Sequence, residues 1–242
     1  MSYDQIAEWY DGLVRTGLPI HALLLPALLD LAGDVAGLDV CDLCCGQGFG
    51  ARELARREAN VTGIDLSLRL LEMAMQIEAE EPLKIVYHQG DAQQLPEIAN
   101  ESFNGVTCIL ALMDIEDLNR VFCTVRRILR PDGWFIFAIT HPCFQTPESR
   151  WTGKAGGTVK REVRGYFREG LWRSDNPYGV RGQVGAHHRT LTTYLDALQD
   201  SGLALERIRE PQARDAVASR IPGFDEVPAV LLGRCRKMVA PL

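Results

Sequence analysis

No run of about 18 apolar residues occurs in this 242-residue chain, so no membrane-spanning helix is expected. The apolar stretch 23–31 is too short and carries Asp30. The N-terminus MSYDQIAEWYD lacks the basic segment of a signal peptide, and a cytoplasmic location is the resulting expectation. The seven cysteines are odd in number and several sit inside apolar runs, which argues against a disulfide framework. Cys41-x-x-Cys44-Cys45 has no second Cys/His cluster at zinc spacing, so no metal is expected; Cys41 reads as a small buried hydrophobe on a strand. Positive charge is not in excess: 26 Lys and Arg face 32 Asp and Glu, for a net charge of −6. That balance argues against a general binder of nucleic acid or membrane surfaces. Internal repeats and low-complexity tracts are absent too. What is present is a globular composition, 46% apolar and 24% charged, long enough for one domain over 1–242 with a single well-packed core.

Helix and strand signals alternate along most of the chain. Residues 4–15 and 20–32 read as helices and form an N-terminal helical cap over 1–35. Strand signals follow at 38–43, 60–65, 84–88, 105–112 and 134–140, with helix signals at 49–58, 67–80 and 116–129 between them. Ser67 is a good N-cap, and Pro131-Asp132-Gly133 is a turn that stops the helix before it. This rhythm predicts a doubly wound, mostly parallel sheet with ligands at the carboxyl ends of its strands. It breaks at His141. Residues 142–188 are rich in Gly, Arg and aromatics without a clean period, as expected of a lid or binding insertion. A helix at 190–201 and strands at 203–210 and 229–237 finish the pattern, for seven strands in all.

The most informative stretch is VCDLCCGQGFG at 40–50. A strand feeding a glycine-rich loop at a helix N-terminus lets bare backbone approach a ligand. Gly46-x-Gly48-x-x-Ala51 also fits a dinucleotide fingerprint. Three carboxylates end or follow three successive strands: Asp42, Asp65 and Asp91. Asp65 suits two ribose hydroxyls, because a carboxylate accepts two hydrogen bonds. Asp91 can accept from an adenine amine, and Asp42 would face a cation such as an ammonium group. With no Tyr-x-x-x-Lys or comparable hydride-transfer dyad, a nicotinamide-linked oxidoreductase is disfavoured.

Five segments in order, DLCCGQG (42–48), GIDLS (63–67), GDAQQLP (90–96), FNGV (103–106) and LRPDGWF (129–135), resemble the motifs of class I S-adenosylmethionine-dependent methyltransferases. The resemblance covers about 40–140. It implies a Rossmann-like sheet of seven strands with the last antiparallel, S-adenosylmethionine as methyl donor and S-adenosylhomocysteine as product. It also implies residue roles. The backbone at Cys44, Gly46 and Gly48 would cradle the methionine moiety with Asp42 nearby. Asp65 would hold the ribose and Leu66 would pack on the adenine. Asp91 and the amide of Ala92 would address that base, and the backbone near Leu110 would border the sulfonium. Tyr3 and Tyr10 would belong to a cofactor-covering helix. Two positions depart from the pattern. Cys44 stands where the family has glycine, so a positive φ there would be strained; Asn104 replaces an aspartate and is given a structural role.

The acceptor side is less defined. Histidine can take a proton near neutral pH. His141 follows the fifth strand, and His187 and His188 precede the last helix. His188 is the leading base candidate, since a helix N-terminus would lower its pKa, and His141 is second. Between residues 150 and 189 nine Lys and Arg face three Asp and Glu, interleaved with Trp151, Tyr166, Phe167, Trp172 and Tyr178. That mixture suits a flat or anionic small acceptor by stacking and ion pairing, or a basic lid on an acidic body. The acceptor atom is left as O, N or C, and the protein as monomer or homodimer. An RNA or protein methyltransferase, and a non-catalytic cofactor-binding regulator, are the competing readings.

Overall fold

The computed structural model describes residues 3–153 and 159–238; Lys154 of the basic insertion lies outside the described residues. Helices α1 (Tyr3–Arg15) and α2 (Pro19–Ala32) come first. The alternating part follows: β1 (Asp39–Leu43), α3 (Phe49–Ala55), β2 (Asn60–Asp65), α4 (Leu68–Glu80), β3 (Val86–Gln89), β4 (Phe103–Ile109), a 3-10 turn at Leu112–Asp114, α5 (Leu118–Ile128) and β5 (Leu129–Thr140). The insertion holds β6 (Arg150–Thr152), β7 (Lys160–Glu162), β8 (Gly170–Trp172), α6 (Val180–Gln183) and β9 (Ala186–His188). Then come α7 (Leu191–Asp200), β10 (Leu203–Arg209), α8 (Asp215–Arg220) and β11 (Val230–Lys237).

The sheet has seven strands in the order β10-β11-β5-β4-β1-β2-β3. β1 to β5 run parallel to one another, and β11 lies antiparallel between β5 and β10. The chain winds outward from β1 to β3, then crosses back to β4 on the other side of β1. Strand order therefore reverses at β1 and β4, and the crevice opens beyond their carboxyl ends.

Alternation along the strands feeds two helical layers. Cys41, Leu43, Phe135, Phe137 and Ile139 pack with Val121, Phe122 and Val125 of α5. Val40, Trp134, Ile136 and Ala138 pack with Leu24 and Leu28 of α2 and Leu54 of α3. Each fully buried Leu or Phe here contributes about 1.5–3 kcal/mol. Both faces are covered, so the inner strands read as nearly continuous apolar runs. Ser67, Asp117 and Thr190 cap α4, α5 and α7 through their side chains, each worth about 1 kcal/mol. No single described helix is long and apolar enough to cross a membrane.

Three local expectations change. Arg130 to Gly133 do not form a turn outside the sheet. They form a bulge within β5, where pairing jumps from Phe103–Leu129 to Gly105–Trp134 and Asp132 takes φ 63°. The stretch 142–188 is not featureless, because β6 pairs with β7 and β8 with β9. α8 is a helix the sequence pattern did not reveal. Asn104 is structural: its side-chain oxygen accepts from the Asp39 N–H at 3.0 Å and from Arg130 at 2.7 Å.

Candidate active site

The glycine loop after β1 is held from below. Gly48 takes φ 89° as the cap of α3, and a Cβ there would lie 2.3 Å from the Tyr87 hydroxyl. Above Gly46, with φ 55°, the nearest atom to a Cβ is Leu70 at 3.9 Å, so that backbone stays open. Cys44 does adopt a left-handed φ, 58°, which costs a non-glycine residue about 1–2 kcal/mol. A hydrogen bond with Cys108, then burial, pushes its thiol pKa well up, so it stays protonated.

Asp42 does not face the crevice. It is only 2% exposed and accepts the Thr107 hydroxyl at 2.6 Å, tying β1 to β4. Burial raises its pKa to about 7, with the hydroxyl of Thr107 and the Ala51 N–H pulling the other way. It supports the loop from behind, where a sequence argument had it meeting an ammonium group.

Asp65 does face the crevice. One carboxylate oxygen accepts the Gly46 N–H and the other the Ser67 N–H, both at 2.8 Å. Each oxygen keeps a further lone pair, so the group is aimed and half-satisfied, as a partner for two hydroxyls should be. Burial raises its pKa, opposed by those two N–H donors. Asp65, Leu66 and Ser67 form one side of a cavity of about 260 Å³. Tyr3 and Asp4 of α1, Asp114, and Gly185 to His187 form the other. α1 is fastened there by Asp4, which accepts the Ser67 hydroxyl at 2.6 Å. Tyr10 stands edge-on to Tyr3 at 5.2 Å, and burial raises its pKa to about 12.

Asp114 is the residue that sequence reasoning missed. It accepts from the Tyr3 hydroxyl at 3.0 Å and pairs with Arg181, joining the N-terminal helix, the end of β4 and the insertion. Burial raises its carboxyl pKa against the pull of Arg181. The available signal was its place directly after the fourth strand, in ALMDIED, opposite a cation-rich segment.

A second, smaller chamber of about 60 Å³ lies beside the cavity. Thr140, Trp172, Tyr194 and Arg189 line it, together with His188. Ala186 and His187 border both spaces. About 10–15 Å³ of such space holds a water, so the chamber admits a small functional group.

The histidines sort differently from expectation. His141 is 3% exposed and does not border either space; its Nε2 bonds Glu210 at 2.7 Å and its Nδ1 accepts the Cys143 N–H at 3.2 Å. Both nitrogens are occupied, so His141 is a structural residue. His188 is not at a helix N-terminus but in β9, opposite Gly170; α7 begins after Thr190. It is 4% exposed, and its Nε2 donates to the Tyr166 carbonyl at 2.8 Å. His187 is half-buried, and among the described residues neither ring nitrogen has a hydrogen-bond partner. Burial first, then the charge of Arg189, lower its pKa, which keeps it neutral and basic at pH 7.

The remaining sequence candidates sit apart from both spaces. Asp91 is folded onto its own turn, accepting the Gln93 N–H at 3.0 Å, and Ala92 is buried in the core. Leu110 has φ 56° and donates its N–H to the Ala138 carbonyl at 2.7 Å. Three cations of the basic insertion are ion-paired within the protein: Arg150 with Glu162, Arg168 with Glu148, Arg181 with Asp114. Arg161 lies over the Trp151 ring at 5.1 Å.

The residues present fit an adenosyl cofactor, with open backbone at Gly46, a half-satisfied Asp65, and a cavity walled by carboxylates. Comparison with known proteins agrees. A family model described as a methyltransferase domain matches residues 41–137. The ubiquinone biosynthesis O-methyltransferase of Pseudomonas syringae pv. tomato is 33% identical over 195 residues, spanning 75% of this chain and 83% of that protein. The protein of the same name from Bordetella avium is 32% identical over 135 residues, and there the match spans 54% of this chain and little more than half (56%) of the relative. An S-adenosylmethionine-dependent methyltransferase from Mesorhizobium loti superposes with a TM-score of 0.76 at 32% identity, covering 90% of this chain and all (100%) of that one.

Proposed function

The chain belongs to the class I S-adenosylmethionine-dependent methyltransferases, and we propose that it transfers the methyl group to an oxygen of a small molecule. The observation that carries this reading is His187, a neutral and unengaged imidazole on the wall between the carboxylate-lined cavity and the smaller chamber. When bound, S-adenosylmethionine supplies a methyl group on a cationic sulfur that leaves as the neutral thioether of S-adenosylhomocysteine. Asp65 and the Gly46 backbone would hold its ribose and methionine portions, and Leu66, exposed at the cavity, offers an apolar surface for the base.

The protein's own part is to hold, to orient and to take a proton. An acceptor hydroxyl beside His187 passes its proton to an imidazole nitrogen as its oxygen forms the new bond to carbon. General-base help of this kind is worth roughly 10²–10⁴-fold, and alignment in a closed site supplies much of the rest. The Tyr3–Asp114–Arg181 contacts bridge the N-terminal helix to the insertion at the edge of the cavity. A non-catalytic cofactor binder has no use for a second chamber with a free imidazole at the junction. The relatives' O-methyltransferase names favour oxygen over nitrogen or carbon.

Calorimetric titration with S-adenosylhomocysteine should show one site, and a panel of phenols and hydroxy acids should release S-adenosylhomocysteine from S-adenosylmethionine. No binding in the first experiment would end the reading.

A further inference from the structure

Resting on that reading, we propose that Arg189 is a specificity-determining residue that seats a carboxylate of the acceptor in the smaller chamber. Arg189 is 8% exposed, yet it forms no ion pair among the described residues. Its guanidinium donates to the carbonyls of Leu112 (3.2 Å), Ile115 (2.6 Å) and Glu116 (2.7 Å). Three of its five N–H donors, both of those on Nη2 among them, are thereby used, and among the described residues its charge has no counter-ion. Buried charges are normally paired, because an unpaired one forfeits its hydration.

The charges around it point to where the anion belongs. Arg181, on the same chamber wall, is neutralised by Asp114. Among the described residues no carboxylate lines the chamber, and its remaining titratable groups are His187, His188 and Tyr194. Glu169 is turned away, accepting from the Thr190 N–H at 2.6 Å. Arg189 also touches an outer hollow of about 500 Å³, but Glu116 and Asp117 line that hollow and repel an anion. The inner chamber is left. It has room for a small group, and Trp172 and Tyr194 give it flat walls. A planar carboxylate suits the unpaired charge, the N–H donors left on Nε and Nη1, and these flat walls together. An acceptor anchored there would lie alongside His187. The substrate class is therefore an aromatic or otherwise planar hydroxy acid.

The test uses protein saturated with S-adenosylhomocysteine, titrated in a calorimeter with benzoate, 4-hydroxybenzoate and phenylacetate. Benzamide and inorganic phosphate are the controls. At least one carboxylate should bind in the millimolar range or better, and benzamide and phosphate at least tenfold more weakly. Arg189→Gln should lose at least tenfold in carboxylate affinity while S-adenosylhomocysteine affinity stays within about twofold. Arg189→Lys, which keeps the charge but not the backbone-anchored guanidinium that places it, should fall between the two; if the Gln variant does not fold, the Lys variant decides, and wild-type affinity there overturns the proposal. Equal binding of benzamide, preference for phosphate, no carboxylate binding to the loaded protein, or unchanged affinity in Arg189→Gln would each overturn it as well. Failure of S-adenosylhomocysteine itself to bind is a separate result, and it removes the methyltransferase reading beneath.

Discussion

The two adjoining spaces carry opposite charge. The larger cavity is lined by Asp4, Asp65 and Asp114 and, among the described residues, by no lysine or arginine. The smaller chamber is lined by Arg189, by Arg181 in its pair with Asp114, and by His187 and His188, with no acid among the described residues. One suits a cationic sulfonium donor, the other an anionic acceptor. In a partly buried site, at an effective dielectric near 20, a unit-charge pair at about 4 Å is worth about 4 kcal/mol, so lining charge alone can sort the two ligands. The walls also differ in origin. The ends of β2 and β4 fix the acid side, whereas the β8–β9 hairpin of the insertion supplies much of the basic side. A shared sheet can thus keep its donor site while the insertion sets the acceptor.

The sharpest way to probe the boundary is His187→Gln. Turnover should drop roughly 10²–10⁴-fold while S-adenosylhomocysteine affinity stays the same by calorimetry. The wild-type rate depends on a neutral imidazole, so it should be full above the His187 pKa and fall as pH drops through it. That limb should lie below the ordinary histidine value of about 6.5, since burial and Arg189 lower it, and the Gln variant should lack it. In His188→Ala the limb should persist. If it vanishes there instead, the roles of the two histidines are exchanged.

Asp65→Ala attacks the acid side. It removes the charged acceptor for two hydroxyls and strands the Gly46 and Ser67 N–H groups. S-adenosylhomocysteine affinity should fall by about 100-fold or more, on the order of 3 kcal/mol. Unchanged affinity would place the cofactor elsewhere. Asp114→Asn acts on the seam. With Arg181 left without its counter-ion, urea unfolding should show a loss of about 1–3 kcal/mol, with faster release of S-adenosylhomocysteine. Cys44→Gly should be the mildest change. Relief of the left-handed φ should raise stability by up to about 1 kcal/mol in the same assay. A loss would mean that the thiol's contact with Cys108 outweighs the strain.

Much of the donor side was legible in the sequence. The glycine spacing 46–48, the acid ending β2 and the Ser67 cap are local signals, and local geometry reads them directly. Asp42 and Asp91 have the same kind of signal, yet one is buried behind the loop and the other closes its own turn. Side-chain type and spacing do not reveal which lone pairs the surrounding chain has already taken. The acceptor side was legible only as composition. Nine cations and five aromatics marked the insertion as unusual, but not which cations would be neutralised.

The sequence by itself determined the alternating order of β1 to β5 with their helices, and the glycine loop after β1. Those follow from hydrophobic period, capping and glycine placement, which act over a few residues. Only the tertiary structure decided that His187, and not His188 or His141, stands free between the two spaces. It alone brought Tyr3, Asp114 and Arg181 together, and left Arg189 buried without a counter-ion. Adjacent residues of an extended hairpin point to opposite sides, and polar contacts between residues 67 or more positions apart depend on how separate elements dock. No local pattern in the chain encodes that docking.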